Sequence, residues 1–352
     1  MPMLSASLLL LAASAAFPLQ LALGAGPSAA CGTACFPSLA FTPPQVAAGK
    51  APSVALSSWW CPRTSEYAFM GFSYDVNGCP TYDDMVRHFT NQRLAFGARY
   101  VRLYAHCDPV PGHTDDIVNA AYVSGIGVFA LIWFGFDGDD SYKGRLAAWL
   151  DTINNNPLAP YVVRNIAIGS EPLYDRATTP AALSALIDST KANVSSKGIQ
   201  VSTSEMVYGY SVQSGGPAVL THVDHVQCNE LPFFSQTATL GSAAWPDIQT
   251  DLTWLLNQTS SSPKKLFLTQ TGWPSTTEVW KPNSAKADPS IGSEQSYYEL
   301  LESKCEYFKS LPMGGLGWFA HIYADNTLPG WGIVNGTTNS TVKFSFGART
   351  AC

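Results

Sequence analysis

The chain has 352 residues, only 13% of them charged, and a net charge of −6 at neutral pH. That balance leaves no basic stripe, so no nucleic-acid partner is expected. Beyond the first two dozen residues no run reaches the ~18 apolar residues of a membrane span, so no membrane span is expected either.

Residues 1–24 read as a secretory signal peptide. Leu8 to Leu11 and the alanine-rich run to Leu23 form an apolar core, with small residues Ala22 and Gly24 at a cleavage site. Its start carries no Lys or Arg, but Pro18 and Gly24 interrupt the run that a membrane anchor would need. Phe344 to Cys352 offer no apolar tail for a lipid anchor. A secreted, extracellular protein is expected. Cys31, Cys35, Cys61, Cys79, Cys107, Cys228, Cys305 and Cys352 all follow the leader, and an even count in an exported chain suggests disulfides. Their connectivity stays open. No close Cys/His pair has a second pair to match it, so no metal is expected, and no organic cofactor. Asn193, Asn257, Asn335 and Asn339 begin N-glycan sequons. Residues 25–66 form a Pro/Ala/Ser-rich lead-in, expected to be extended, which a Cys31–Cys35 bond would clip.

From Ala68 onward short apolar runs alternate with helical patterns, the signal of a parallel α/β fold. The predicted strands are Phe69–Tyr74, Tyr100–Tyr104, Gly127–Trp133, Val162–Ile168, Gln200–Ser204, Val223–Gln227, Lys265–Thr269 and Leu316–His321. Thr81 and Asp84 form a capping box ahead of Met85 and Phe89. Leu146, Trp149, Leu150 and Ile153 follow helical spacing, and Thr179 caps a helix with Pro180 at its first position. Trp245, Ile248, Leu252 and Leu255 make a further apolar face, and Tyr297, Leu301, Cys305 and Phe308 the last. Together these elements predict a single (β/α)8 TIM barrel of the α/β class over residues 67–352. A doubly wound sheet would show a Gly-rich phosphate turn after its first strand, and Ser73 to Gly78 is no such loop.

Chemistry in such a barrel sits at the C-terminal ends of the strands. Those ends carry Tyr74 and Asp75, Arg102 and Tyr104, Trp133, Ser170 and Glu171, and Glu205. Asn229 and Glu230, Gln270 and Trp273, and Tyr323 and Asp325 complete the ring. Polar and aromatic groups converging on one face suit a carbohydrate cleft, with hydroxyl partners and stacking platforms. Trp273 and Trp331 are expected either to stack on sugar rings or to fill core space. Tyr208 and Tyr210 are expected to line the cleft, and His106, His225 and His321 to be structural.

Thr271-Gly272-Trp273-Pro274-Ser275 resembles the strand-seven signature of family 17 glycoside hydrolases, the β-1,3-glucanases and glucanosyltransferases of plant and fungal walls. Val101-Arg102-Leu103-Tyr104 resembles that family's strand two, and Asn229 with Pro232-Phe233-Phe234 its strand six. Trp318-Phe319 and Gly330-Trp331-Gly332-Ile333 resemble its strand eight and the loop after it. With secretion and sequons the style is that of a fungal member. The resemblance implies a β-glucan partner at the cell wall, β-1,3-linked by resemblance alone. Tyr74, Arg102, Tyr104, Ser170, Asn229, Trp273, Tyr323 and Trp331 are the residues expected to bind that glucan. The resemblance also implies a retaining mechanism. Glu171 would protonate the leaving oxygen, and a carboxylate at position 270, ~5–5.5 Å away, would attack the anomeric carbon.

The chain departs from that pattern twice. Gln270 is a neutral amide where the nucleophile should stand. Ser170 stands where the family has an Asn that contacts the sugar 2-hydroxyl, and it has a shorter reach. Without an anion at 270, Glu171 should ionise more readily near neutrality. Two readings follow. In one, the protein is a glycosidase or transglycosidase with a relocated carboxylate, Glu230 first and Glu205 and Asp325 behind it, acting on water at ~6.5–9.5 Å from the acid. In the other, it binds β-glucan and cleaves nothing. Unrelated chemistry on the same barrel is the remaining alternative.

Overall fold

The apolar runs close into a barrel in the computed structural model of the chain. The structure describes residues 34–108, 110–135, 140–336 and 341–352. The expected signal peptide, Cys31 and the Asn339 sequon lie outside those residues. Strands β1 (Ala68–Asp75), β2 (Tyr100–Tyr104), β3 (Gly127–Ile132), β4 (Val163–Ser170), β5 (Gln200–Glu205), β6 (Val226–Glu230), β7 (Leu266–Thr271) and β8 (Leu316–Ala320) lie in chain order around the barrel. Neighbours pair in parallel, and β8 closes on β1. This is the single (β/α)8 domain that the pattern predicts.

Helices α1 (Tyr82–Phe96), α2 (His113–Ser124), α3 (Ser141–Asn155), α4 (Ala159–Val162), α5 (Pro180–Val194), α6 (Gly209–Val212), α7 (Trp245–Gln258), α8 (Ile291–Ser303) and α9 (Cys305–Ser310) connect the strands. The Thr81 side chain accepts from Asp84 N at the start of α1, and Thr179 does the same for Ala182 N ahead of Pro180. α2 is a long helix that the sequence pattern does not pick out; its buried face mixes Ile117, Val118 and Tyr122 with small and polar residues, Ala120, Ala121, Thr114 and Ser124.

One strand is displaced from its predicted position. β6 begins at Val226, not Val223. Asp224 belongs to a turn tied to β5, its N–H bonding Val201 O and its carboxylate accepting from Val201 N. The displacement brings Asn229 and Glu230 inside the strand, where successive side chains face opposite sides.

An inner layer of Met70, Tyr100, Phe129, Phe267 and Phe319 plugs the N-terminal end of the barrel. Gly127 makes room for it, since a Cβ there would stand 2.4 Å from the Tyr100 ring. At this end Glu66, 1% exposed, accepts from Arg164 Nε at 2.6 Å and from the Tyr100 hydroxyl at 2.8 Å.

Residues 34–66 pack on the barrel as part of one compact unit that runs from Ala34 to Cys352, and do not form an extended lead-in. Phe36 and Trp59 are fully buried, Trp59 Nε1 donates to Tyr161 O at 2.7 Å, and the Tyr122 hydroxyl donates to Pro44 O at 2.6 Å. The expected Cys31–Cys35 clip is corrected: Cys35 is bonded to Cys61. A backbone bridge brings those two together, with Phe36 N bonding Trp59 O and Cys61 N bonding Phe36 O. Cys79–Cys107 and Cys305–Cys352 are the other described disulfides, and Cys228 is buried as a free thiol. Asn193, Asn257 and Asn335 are exposed, and no described helix is long and apolar enough to cross a membrane.

Candidate active site

The upper barrel is lined by small polar side chains around one arginine. Arg102 on β2 is 1% exposed, and its Nη2 donates to Ser170 Oγ (3.2 Å) and Ser204 Oγ (3.3 Å). The Gln270 amide, oriented to satisfy both partners, accepts from Arg102 Nη1 at 2.6 Å and Nη2 at 3.2 Å. Register shifts on β7 let this happen: they break the two-residue alternation, so Thr269 and Gln270 both face inward. Thr269 Oγ1 meets Ser204 Oγ at 2.6 Å, one residue below the Gln270 amide. Burial lowers the Arg102 guanidinium to about 10, with Tyr104 and Glu171 opposing the fall. Among the described residues its hydrogen-bond partners are all neutral, and its Nε has none.

Glu171 follows β4 in a left-handed turn (φ 56), with its N–H on Ser204 O at 2.7 Å. Its Oε1 accepts from Asn229 Nδ2 at 2.8 Å, and Asn229 Oδ1 accepts from Ser204 Oγ at 2.7 Å. The fixed amide therefore aims one carboxylate oxygen. Burial raises the Glu171 carboxyl above the usual range, against the Asn229 hydrogen bond and Arg102, while Asp175 adds to the rise. The rise comes from burial first and needs no anion at position 270.

The carboxylates expected to stand in for a nucleophile are engaged elsewhere. Asn229 points into the barrel, so Glu230 points out to the helix layer, where its carboxyl meets Asp251 of α7; burial and that neighbour push it well up. Glu230 is therefore corrected from a cleft residue to a packing residue. Glu205 is fully buried, accepting from Leu173 N (2.7 Å), Tyr174 N (3.3 Å) and Met206 N (2.9 Å), so it ties the turns after β4 and β5 together. Burial raises it to about 8. Gly209 leaves space for it, since a Cβ there would lie 2.1 Å from Glu205 Oε1. Asp325 accepts from Gly330 N, Gly332 N and Lys343 Nζ, which braces the loop after β8.

Of the eight expected binding residues, the structure gathers Arg102, Tyr104, Ser170 and Asn229 around Glu171. Tyr104 is half-buried, its ring edge-on to His321 with centroids 5.1 Å apart. The other four turn away from the cleft into packing. Tyr74 and Tyr323 face α1, their hydroxyls on His88 Nδ1 and Asn91 Oδ1, both at 2.7 Å. Trp273, 1% exposed, donates to Asp288 O and packs on Phe233, so of its two expectations core filling holds. Trp331 is fully buried and stacks on Phe234, with the same outcome. Tyr210 is buried, whereas Tyr208 is 64% exposed at the rim with its ring 6.1 Å from that of Tyr174. Strand-end reading missed Tyr174, whose signal was its place three residues after Glu171. His106 pairs with Asp108, His225 bonds Gln200 and Gln227, and His321 is buried with its pKa lowered to about 3. No group of three or more His, Cys, Asp or Glu among the described residues could hold a metal ion.

The site is thus a ring of polar side chains at the C-terminal end of a closed parallel barrel, with half-buried Glu171 just past the end of β4. Residues 67–312 match the BtgE/BtgC glycoside hydrolase domain, and the chain belongs to that family. The family 17 β-1,3-glucanosyltransferase of Rhizomucor miehei has a similar structure, with TM-score 0.63 at 21% identity over 83% of this chain and 99% of that one. An active-site mutant of that enzyme in complex with laminaritriose gives the same TM-score and identity, over 82% and 99% of the two chains. The β-D-glucuronidase of Dictyoglomus thermophilum is more distant, with TM-score 0.54 at 14% identity over 79% of this chain and 49% of that one. No curated protein matches the chain.

Proposed function

We propose that the cleft recognises β-glucan, β-1,3-linked, with Glu171 placed to donate a proton to a glycosidic oxygen, and that the protein does not use covalent double displacement. The observation that carries this reading is Gln270. Its amide oxygen rests on a buried arginine at 2.6 Å, where a retaining enzyme needs an anion. An amide oxygen is a poor nucleophile, and the Arg102 charge opposes the positive charge that develops on the sugar ring. The cleft keeps what sugar binding requires: Asn229, Ser170 and Arg102 as hydrogen-bond partners, and the exposed Tyr174–Tyr208 rim as a stacking surface. The laminaritriose carried by the Rhizomucor miehei relative supports a linear β-1,3-glucan as the ligand. The leader, the sequons and three disulfides support an extracellular protein that meets this glucan at a cell wall.

Calorimetric titration with laminaritriose tests the reading. Binding is expected in the wild type and in Glu171→Gln, with any release of reducing ends absent from the variant. No binding, or a glycosyl adduct on the wild-type protein detected by intact mass, would sink it.

A further inference from the structure

The loop between β7 and α8 carries an indole that the core does not absorb. Trp280 is 38% exposed, more than any other tryptophan among the described residues. Val279 beside it is exposed too, and the half-buried Phe234 ring lies against it, so the three form a small apolar patch. Core filling accounts for Trp273 and Trp331 but not for this patch. The loop is also braced. The Trp280 ring stands edge-on to Trp331, with centroids 5.7 Å apart, and to Phe234, with centroids 6.4 Å apart. Edge-on packing supports the indole and leaves part of its face in solvent. Asn283 Nδ2 donates to Phe234 O at 2.6 Å, and Ser275 N–H bonds Gly330 O at 2.7 Å. The loop after β7 is thereby tied to the loops after β6 and β8. A ring held this way loses little conformational freedom when a ligand packs on it.

A row of rings joins Trp280 to the cleft. Trp331 lies 5.8 Å from His321, and His321 lies 5.1 Å from Tyr104, which stands in the field of Glu171. The exposed Tyr174–Tyr208 rim follows β4 and β5, on the flank of the acid. Trp280 follows β7, on the flank of Gln270. Both lie at the C-terminal end of the barrel, with Glu171 and Gln270 between them in barrel order. A sugar ring turns C–H groups to an aromatic face and keeps its hydroxyls at the edge for polar partners. An aromatic surface on each flank therefore suits a linear chain of sugars lying across the acid.

We propose that Trp280 is a second sugar-stacking platform, on the Gln270 flank of the cleft. The ligand it takes is a β-glucan oligosaccharide long enough to reach from the Tyr174–Tyr208 rim past Glu171 to the indole. Chain length is then read by the distance between two aromatic surfaces, and the polar groups around Glu171 hold the sugar between them. The proposal rests on the reading of the cleft as a β-glucan site.

The test titrates the full chain with laminaritriose and laminarihexaose by calorimetry and follows indole emission in parallel. Laminarihexaose is expected to bind more tightly than laminaritriose and to change the wild-type emission. Trp280→Ala is expected to weaken laminarihexaose ~3–10-fold, the scale of one aromatic contact. Trp280→Phe keeps a ring and its brace, so it should hold that affinity within about threefold while losing most of the emission change. That pairing of outcomes separates a platform from a ring that only supports the loop. Laminarihexaose affinity unchanged in Trp280→Ala, or an emission change kept in full by Trp280→Phe, overturns the proposal. Wild-type protein that binds neither oligosaccharide overturns the glucan reading beneath it, so the two failures are told apart.

Discussion

Arg164 and Arg102 are buried at opposite ends of one barrel and are neutralised in opposite ways. Arg164, at the N-terminal end, holds Glu66 at 2.6 Å, with Tyr100 donating to the same carboxylate. Arg102, at the C-terminal end, donates only to hydroxyls and an amide. A buried charge with no counter-ion is costly, and a fold retains it only with good hydrogen bonds around it. The lower pair is a structural closure. The upper arginine rests on neutral groups, the Gln270 amide oxygen among them, with Glu171 acting on it only through its field.

The largest expected effect breaks the lower half of this contrast. Glu66→Ala leaves Arg164 buried and unpaired, which should cost about 3–5 kcal/mol in urea unfolding. A loss below about 1 kcal/mol, the scale of an exposed pair, would mean that the lower end is not a closed ion pair. Next in size is Gln270→Glu, which gives Arg102 its anion. Turnover of laminari-oligosaccharides with retention should rise on the order of 10²–10³-fold, the scale of one electrostatic catalytic group. A trapped glycosyl adduct seen by intact mass should accompany it. Unchanged turnover would show that position 270 does not face the anomeric carbon. The smallest effect concerns Glu205, raised to about 8 by burial. A carboxyl with a raised folded pKa lends stability that is full below its unfolded pKa and is lost as pH rises through the folded value. Wild-type thermal stability should therefore fall between about pH 5 and about pH 9 more steeply than that of Glu205→Gln. Parallel slopes would show that Glu205 ionises freely among its three N–H donors.

The barrel is legible in the sequence because buried parallel strands read as near-continuous apolar runs. Residues Thr271 to Ser275 fix the position of Gln270 in the same local way. Strand ends are harder to read. A residue's place in the chain gives its height in the barrel but not its face, and register shifts on β4 and β7 break the alternation there. That is why Trp273 and Trp331 read as cleft residues or core residues with equal force, and why Glu230 read as a cleft carboxylate. The lead-in was misread for a related reason. Its composition is that of a linker, and two aromatic anchors, Phe36 and Trp59, outweigh it only once a surface exists to receive them.

By itself the sequence determined the closed α/β barrel, Glu171 at the end of β4 and the amide at position 270, because apolar periodicity and turn residues act over a few neighbours. Only the tertiary structure decided that Gln270 rests on Arg102 and that Glu205, Glu230 and Asp325 are engaged outside the cleft. Those outcomes depend on register and burial across the sheet, where the partners are far apart in the chain and no local signal encodes them.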